Sequence, residues 1–337
     1  MSGNSVEKKL VDINNQDAVR KFIEKEAIKL KPDTLFVPEL MWKYLMRSAI
    51  RGKNIMMTGY SGCGKTLSAM SLAKSLDRPF FYFNLGSTQD PRAALIGNTH
   101  FDKDKGTFFN KSEFIEAIST ENAVILLDEF SRANPEAENI LMTVLDYNQR
   151  YVRLDESEKR EIVHVANGVT FIATANIGGE FTATRLMDRA SLDRFIIVEV
   201  PLLNADQEKK LLLKLHPGLH PKIAEALAEI ADTTRTEMRN DAPKINTIVS
   251  TRMSVETAGL VMDGFSLFEA IEVGVLPVFD EEGGNDSART FVRQAMQRFV
   301  DMKNSDPIKE EKEPEKEEDS FDDDDSNPLF ELDEDIK

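Results

Sequence analysis

A single cysteine, Cys63, stands in a chain of 337 residues, so no internal disulfide can form. Long apolar runs are missing too: nothing approaches the roughly 18 residues that cross a bilayer. Met1 to Leu10 is polar and charged and has no apolar core of the kind a signal peptide needs. These absences lead us to expect a cytoplasmic protein with no membrane contact. A basic excess is also lacking, since the formal net charge is -17. Most of it sits at one end: Asn304 to Lys337 carries 16 acidic and 4 basic residues. A surface coated in Lys and Arg for nonspecific nucleic-acid binding is therefore excluded, although a local basic channel is not. No internal repeat is present.

What is there divides into four stretches. Residues 1–37 read as an N-terminal helical extension, with an amphipathic helix over Asp17–Leu30 carrying Val19, Phe22, Ile23 and Ile28. Residues 38–201 read as a nucleotide-binding core. A helix over Glu39–Ile50 leads into alternating strands and helices, the pattern of an α/β fold with a mainly parallel five-stranded sheet. The strands are expected at Asn54–Thr58, Phe80–Asn84, Ala123–Leu127, Val169–Thr174 and Phe195–Val200. Their density of aliphatic residues suits strands covered on both faces. Two hairpins interrupt the alternation, at Asn98–Phe109 and Tyr151–Val165. Residues 202–303 read as a smaller all-helical lid, with helices over Asp206–Leu215, Pro221–Thr234, Arg252–Asp263, Leu267–Val273 and Ala288–Met302. Residues 304–337 are a low-complexity acidic tail expected to be disordered, because too little apolar surface is available to offset its ordering entropy.

The chemistry starts at Gly59-Tyr60-Ser61-Gly62-Cys63-Gly64-Lys65-Thr66, a full G-x-x-x-x-G-K-[ST] run between a strand and a helix. The glycines let backbone N–H groups wrap phosphates, and the helix N-terminus adds its positive dipole end. Lys65 is placed to reach the β- and γ-phosphates, and Thr66 offers a hydroxyl to Mg2+. Cys63 occupies a variable position, where filler is the preferred reading over a redox switch. Val124-Ile125-Leu126-Leu127-Asp128-Glu129 is a buried strand ending in two carboxylates. Asp128 there suits the Mg2+ shell, and Glu129 suits polarising an attacking water. No Asn-Lys-x-Asp guanine signature occurs, which favours ATP. His216 and His220 are separated by Pro217-Gly218, which breaks the helix a shared metal would need, so they are read as loop.

The order of these motifs resembles the AAA+ superfamily. Within it the chain is most similar to the MoxR-type branch, which includes the cobaltochelatase small subunit and the gas-vesicle and nitric-oxide-reductase accessory ATPases. The resemblance spans about residues 37–302. It implies that Phe171-Ile172-Ala173-Thr174-Ala175-Asn176 ends in the sensor 1 asparagine, which orients the lytic water. It implies that the segment Arg185 to Phe195 supplies an arginine to the neighbouring subunit's ATP: Arg194 first, with Arg189 as runner-up. It implies that Arg252, in Ser250-Thr251-Arg252-Met253-Ser254, is the sensor 2 residue of the lid. The two hairpins resemble inserts that face the central pore or the partner, which makes Phe101, Lys103 and Lys105 candidate pore contacts.

The expected activity is then Mg2+-dependent ATP hydrolysis by a ring of this chain, six by resemblance. That hydrolysis would drive chaperone-like remodelling of a protein partner, in metal insertion or complex maturation. A separate protein with a von Willebrand A domain is implied as a partner. The alternative is a nucleic-acid motor or loader, which a basic or aromatic pore lining would favour. A third reading, a scaffold that binds ATP without turnover, is opposed by the presence of Lys65, Asp128, Glu129, Asn176 and Arg194. The tail's end, Asp322 to Leu332, mixes acidic and apolar residues and reads equally as a docking peptide or a solubilising tail.

Overall fold

A computed structural model describes residues 11, 13–103, 106–155, 157, 160–176 and 188–299. The acidic tail, the 177–187 segment that holds Arg185, and Lys105 lie outside them.

The chain enters through α1 (Gln16–Lys21), whose first turn is capped by the Asn15 side chain. It continues as a π turn over Phe22–Glu26 and a 3-10 turn over Ile28–Leu30. Periodicity predicts one helix here, and the structure corrects it to three pieces. The Ala27 carbonyl accepts both the indole N–H of the buried Trp42 at 2.7 Å and the Leu30 N–H of the 3-10 turn at 3.3 Å, so a distant side chain shares the acceptor where the helix tightens. Pro32 then prevents the turn from continuing. Ala27, Leu35 and Val37 pack into the same core as α2 (Glu39–Ile50), so this entry segment is part of one wall of the body.

Next come β1 (Ile55–Gly59), α3 (Lys65–Ser75), β2 (Phe80–Asn84) and α4 (Pro91–Leu95). The hairpin β3 (Gly97–Asp102) and β4 (Gly106–Lys111) precedes α5 (Glu113–Ser119), β5 (Val124–Asp128) and α6 (Pro135–Leu145). The hairpin β6 (Tyr151–Leu154) and β7 (Glu161–His164) leads to β8 (Thr170–Asn176), α7 (Arg189–Leu192) and β9 (Ile196–Glu199). Five strands form one parallel sheet in the order β2-β5-β8-β1-β9. The sheet is sandwiched. Ile125, Leu127 and Phe171 point into a core with Phe114 and Leu141, and Leu126 and Ile172 point into the opposite core with Trp42 and Leu72. That alternation, with every residue of β5 except Asp128 buried, explains why the strand reads as a continuous apolar run. Full burial of each Leu or Ile side chain contributes about 1.5–3 kcal/mol.

Both hairpins stand off the sheet as separate antiparallel pairs, and Lys111 on the first is 2.9 Å from Glu161 on the second. Phe101 is 76% exposed on the first hairpin.

Beyond β9 the chain is helical: α8 (Ala205–Leu215), α9 (Pro221–Glu237), α10 (Thr251–Met262), α11 (Leu267–Gly274) and α12 (Ala288–Gln297). Sequence sets these starts locally. Asn204 and Ser266 form capping boxes with Gln207 and Glu269, Ser250 and Ser287 cap α10 and α12, and Pro221 opens α9. His220 accepts from the Lys222 N–H and caps the same helix. Leu212, Leu227, Ile230, Val261, Ile271 and Val292 belong to a core of their own. Among the described residues no helix is long and apolar enough to cross a membrane.

Candidate functional site

Parallel pairing lines up the strand ends that carry the chemistry. Gly59 is paired with Asn176 across β1 and β8, and Asn84 with Asp128 across β2 and β5. The glycine-rich turn, both carboxylates and Asn176 therefore share one edge of the sheet, where α/β folds bind ligands. A cavity of about 450 Å³ opens there. Its lining includes Ser61 to Thr66, Asp128, Glu129, Asn176 and Arg252. Residues 34–37 and Leu203, Leu211, Leu215 and Val255 form its apolar side. The size lies within the range of small-molecule sites, and a polar end opposite an apolar end suits a nucleotide.

The phosphate loop fits an anion. Gly64 sits at φ 96°, a left-handed conformation that other residues rarely adopt, and a Cβ there would meet no atom within 4 Å. That open space lies at the N-terminus of α3. Lys65 is only 9% exposed, and its ammonium donates to the Gly59 and Tyr60 carbonyls at 2.9 and 2.8 Å. Burial pushes its pKa below the usual lysine range, against the raising effect of Cys63 and Asp128. A buried cation whose hydrogen-bond acceptors are all neutral is favourably completed by phosphate oxygens. The Cys63 thiol is pushed up, chiefly by burial, which keeps it from ionising and agrees with a packing role.

Asp128 gathers three hydroxyls. Thr174 Oγ1 donates to Oδ1, and Tyr82 and Thr66 donate to Oδ2 at 3.1 and 3.5 Å. Burial, and then the Asp128 charge, raise the Tyr82 pKa. Thr66 and Asp128 thus present adjoining oxygens, the hard-donor set that Mg2+ prefers. Glu129 follows in a left-handed conformation, φ 55°, with its N–H on Thr174 Oγ1 at 3.0 Å. This kink turns the glutamate off the strand axis. Gly86 leaves room for the result, because a Cβ at Gly86 would fall 2.3 Å from Glu129 Oε2. Arg132 lies 3.7 Å from the same carboxylate.

Thr174, Tyr82, Gly86 and Arg132 escaped the sequence reading. A signal existed for Thr174, because residues i and i+2 of a strand share a face and Thr174 precedes Asn176 by two. Tyr82, Gly86 and Arg132 belong to no motif. Gly86→Ala is expected to lower turnover by about tenfold to a hundredfold by displacing Glu129, with nucleotide affinity unchanged. Steady-state kinetics beside a binding titration would check this, and a normal rate would show that the carboxylate's position is not constrained there.

The two arginines expected to act between subunits lie away from this cavity. Arg194 is held by its own chain: Nε donates to the Met142 carbonyl at 3.1 Å, Nη1 to the Ala190 carbonyl at 2.5 Å, and Nη2 faces Asp146 at 3.4 Å. Arg189 is exposed at the start of α7.

Known proteins are similar to this chain in sequence. The family profile described as AAA domain (dynein-related subfamily) matches residues 54–195, and that described as CbbQ/NirQ/NorQ C-terminal matches residues 208–297. The chain is 32% identical over 219 residues to "Putative chaperone BssE" of Thauera aromatica, covering 65% of this chain and 72% of that one. It is 25% identical over 235 residues to the uncharacterized protein YojN of Bacillus subtilis, covering 68% of this chain and 74% of the relative. A Thermotoga maritima RuvB Holliday junction branch migration motor superposes with a TM-score of 0.46 at 16% identity, covering 80% of this chain and 72% of that one. The two family matches and the 32% identity to the Thauera aromatica relative, 72% of which the chain covers, place the chain in the MoxR-type AAA+ ATPase family.

Proposed function

We propose that this chain hydrolyses ATP in a ring of its own copies and uses the cycle to remodel a protein partner. One observation carries the ATPase reading: Lys65, Thr66, Asp128, Glu129, Asn176 and Arg252 all line a single cavity. Residues 59–66 hold the phosphates through backbone N–H groups and Lys65. Thr66 and Asp128 hold Mg2+, which when bound offsets charge on the transferring phosphoryl group. Glu129 takes a proton from the attacking water, and Asn176 fixes that water's direction. Arg194 of the adjoining copy, with Arg189 beside it, faces the developing charge. Arg252 joins from the helical unit, so the phosphates are read from both sides of the cleft. The likeness to a chaperone-type relative and the acidic charge balance support a protein as the remodelled partner, with metal insertion or complex maturation as the setting and a von Willebrand A domain protein as a companion.

The test is the steady-state ATPase rate at increasing chain concentration, with and without single- and double-stranded DNA. A rate per chain that rises steeply with concentration and ignores DNA is expected. Stimulation of several-fold by DNA would overturn the protein-partner reading in favour of a nucleic-acid motor. The exposed hairpin gives a second expected outcome. Lys103→Ala with Lys105→Ala leaves the basal ATPase rate intact and lowers remodelling of a captured partner. Unchanged remodelling would remove the hairpin from substrate contact.

A further inference from the structure

Arg235 lies in the last turn of α9, Glu208 in the first turn of α8, and both side chains are 0% exposed. Their pairing is bidentate, Nη1 to Oε2 at 2.7 Å and Nη2 to Oε1 at 2.9 Å. Neither residue belongs to the nucleotide motifs. A buried ion pair is poor evidence of stability, because desolvating two charges offsets most of their attraction, and apolar replacements often do as well. What such a pair does supply is a fixed geometry, and its remaining bonds show which geometry is fixed.

The guanidinium also donates to the Leu203 carbonyl at 2.7 Å and, through Nε and Nη2, to the Val249 carbonyl at 3.1 and 3.0 Å. Thr251 Oγ1 donates to Glu208 Oε2 at 3.0 Å. The Val249 N–H is held in turn by Thr234 Oγ1 at 3.0 Å. Leu203 lies on the covalent link from β9 to α8. Val249 to Thr251 is the entry to α10, the helix that bears Arg252. One planar cation therefore ties the interdomain link, two helices and the approach to the sensor arginine into a single piece. The next contact outward is with the phosphate loop itself: a Cβ on Gly62 would lie 2.9 Å from Ser250 Oγ and 3.4 Å from Arg252 Cβ.

We propose that the Glu208–Arg235 pair is a positioning clamp for Arg252, which makes the link after β9 and the start of α10 move together when nucleotide state changes. The inference rests on the proposed role of Arg252 and adds to it the residues that aim it. Loss of the clamp leaves α10 folded on its apolar face but frees its first turn, so Arg252 loses its fixed approach to the phosphates.

The test is a thermodynamic cycle in the full chain. Glu208→Leu with Arg235→Met replaces the pair by apolar residues of similar length, and Arg252→Ala removes the residue it is held to aim. Both ATPase rates and affinities for fluorescent ATP and ADP analogues are measured. The clamp variant is expected to lose about tenfold in kcat and about tenfold in ATP-analogue affinity, with ADP-analogue affinity unchanged. In the Arg252→Ala background the same replacement is expected to add nothing, because the two changes then act through one group. Full additivity, or no effect of the clamp variant where Arg252→Ala has one, would overturn the clamp. An Arg252→Ala chain with normal kinetics would instead overturn the role proposed for Arg252. Should the double replacement fail to fold, Thr251→Val, which removes one hydroxyl, decides by the same cycle with an expected loss of about threefold.

Discussion

Glu129→Gln is expected to lower the ATPase rate by about 10²- to 10⁴-fold while leaving ATP affinity within about threefold. The amide keeps the size of the carboxylate but cannot accept a proton. Affinity is expected to be preserved because the groups proposed to hold phosphate and Mg2+ are other ones: the loop amides, Lys65 and Thr66 at the start of α3, and Asp128 at the end of β5. The left-handed turn at Glu129 also survives, since Thr174 holds its backbone N–H rather than its side chain. The pattern to look for is a fallen kcat with an unchanged titration by an ATP analogue. Hydrolysis at the normal rate would remove Glu129 from the role of base. The stalled chain would in addition hold its oligomer and its partner together, giving a route to isolating both.

Removal of the arginine proposed to act between copies is expected to have an effect at least as large, about 10³–10⁵ in rate. Arg194→Ala should show it in full and Arg189→Ala in part. The two differ in a second respect. Arg194 is bound to Met142, Ala190 and Asp146, so its loss also costs about 1–2 kcal/mol of stability, whereas exposed Arg189 can be removed without that penalty. Mixing chains isolates the catalytic part. Arg194→Ala chains have an intact phosphate loop, and Lys65→Ala chains have an intact arginine. Each alone is expected to be inactive, and where they adjoin, one complete site is expected to form. Recovered ATPase on mixing is expected, and a mixture as inactive as its components would mean that Arg194 acts within its own chain or not at all. The same mixture made with Arg189→Ala measures the smaller share.

Much of this was legible from the residues. All five sheet strands lie within two residues of where the sequence puts them, because runs such as Val124 to Leu127 have one physical use in an α/β body, burial on both faces. Glycines and acidic residues at the strand ends then located the cleft. Contacts between residues distant in sequence were not legible. At the break in the N-terminal helix Trp42 reaches back to Ala27, and no local pattern announces it. Arg194 read as free for a neighbour, yet its ties run to residues 48 and 52 positions away. Glu208 and Arg235 look in the sequence like ordinary charged residues of amphipathic helices, and only packing reveals that both are buried. Such pairings depend on how helices cross, which hydropathy does not encode.

The strand order has a consequence for how the protein is made. β1 pairs with β8 and β9 and with nothing nearer in the chain. More than a hundred residues separate Gly59 from Thr170. At ribosomal rates of ~5–20 residues per second, β1 waits on the order of ten seconds before either neighbour is synthesised. During that interval Ile55, Met56 and Met57, all 0% exposed in the finished fold, have no sheet to enter. Ile55 and Met57 share their core with α2 and α3, which flank β1 in the sequence and are made with it, whereas Met56 faces the opposite core, built from α5 and α6 and made only later.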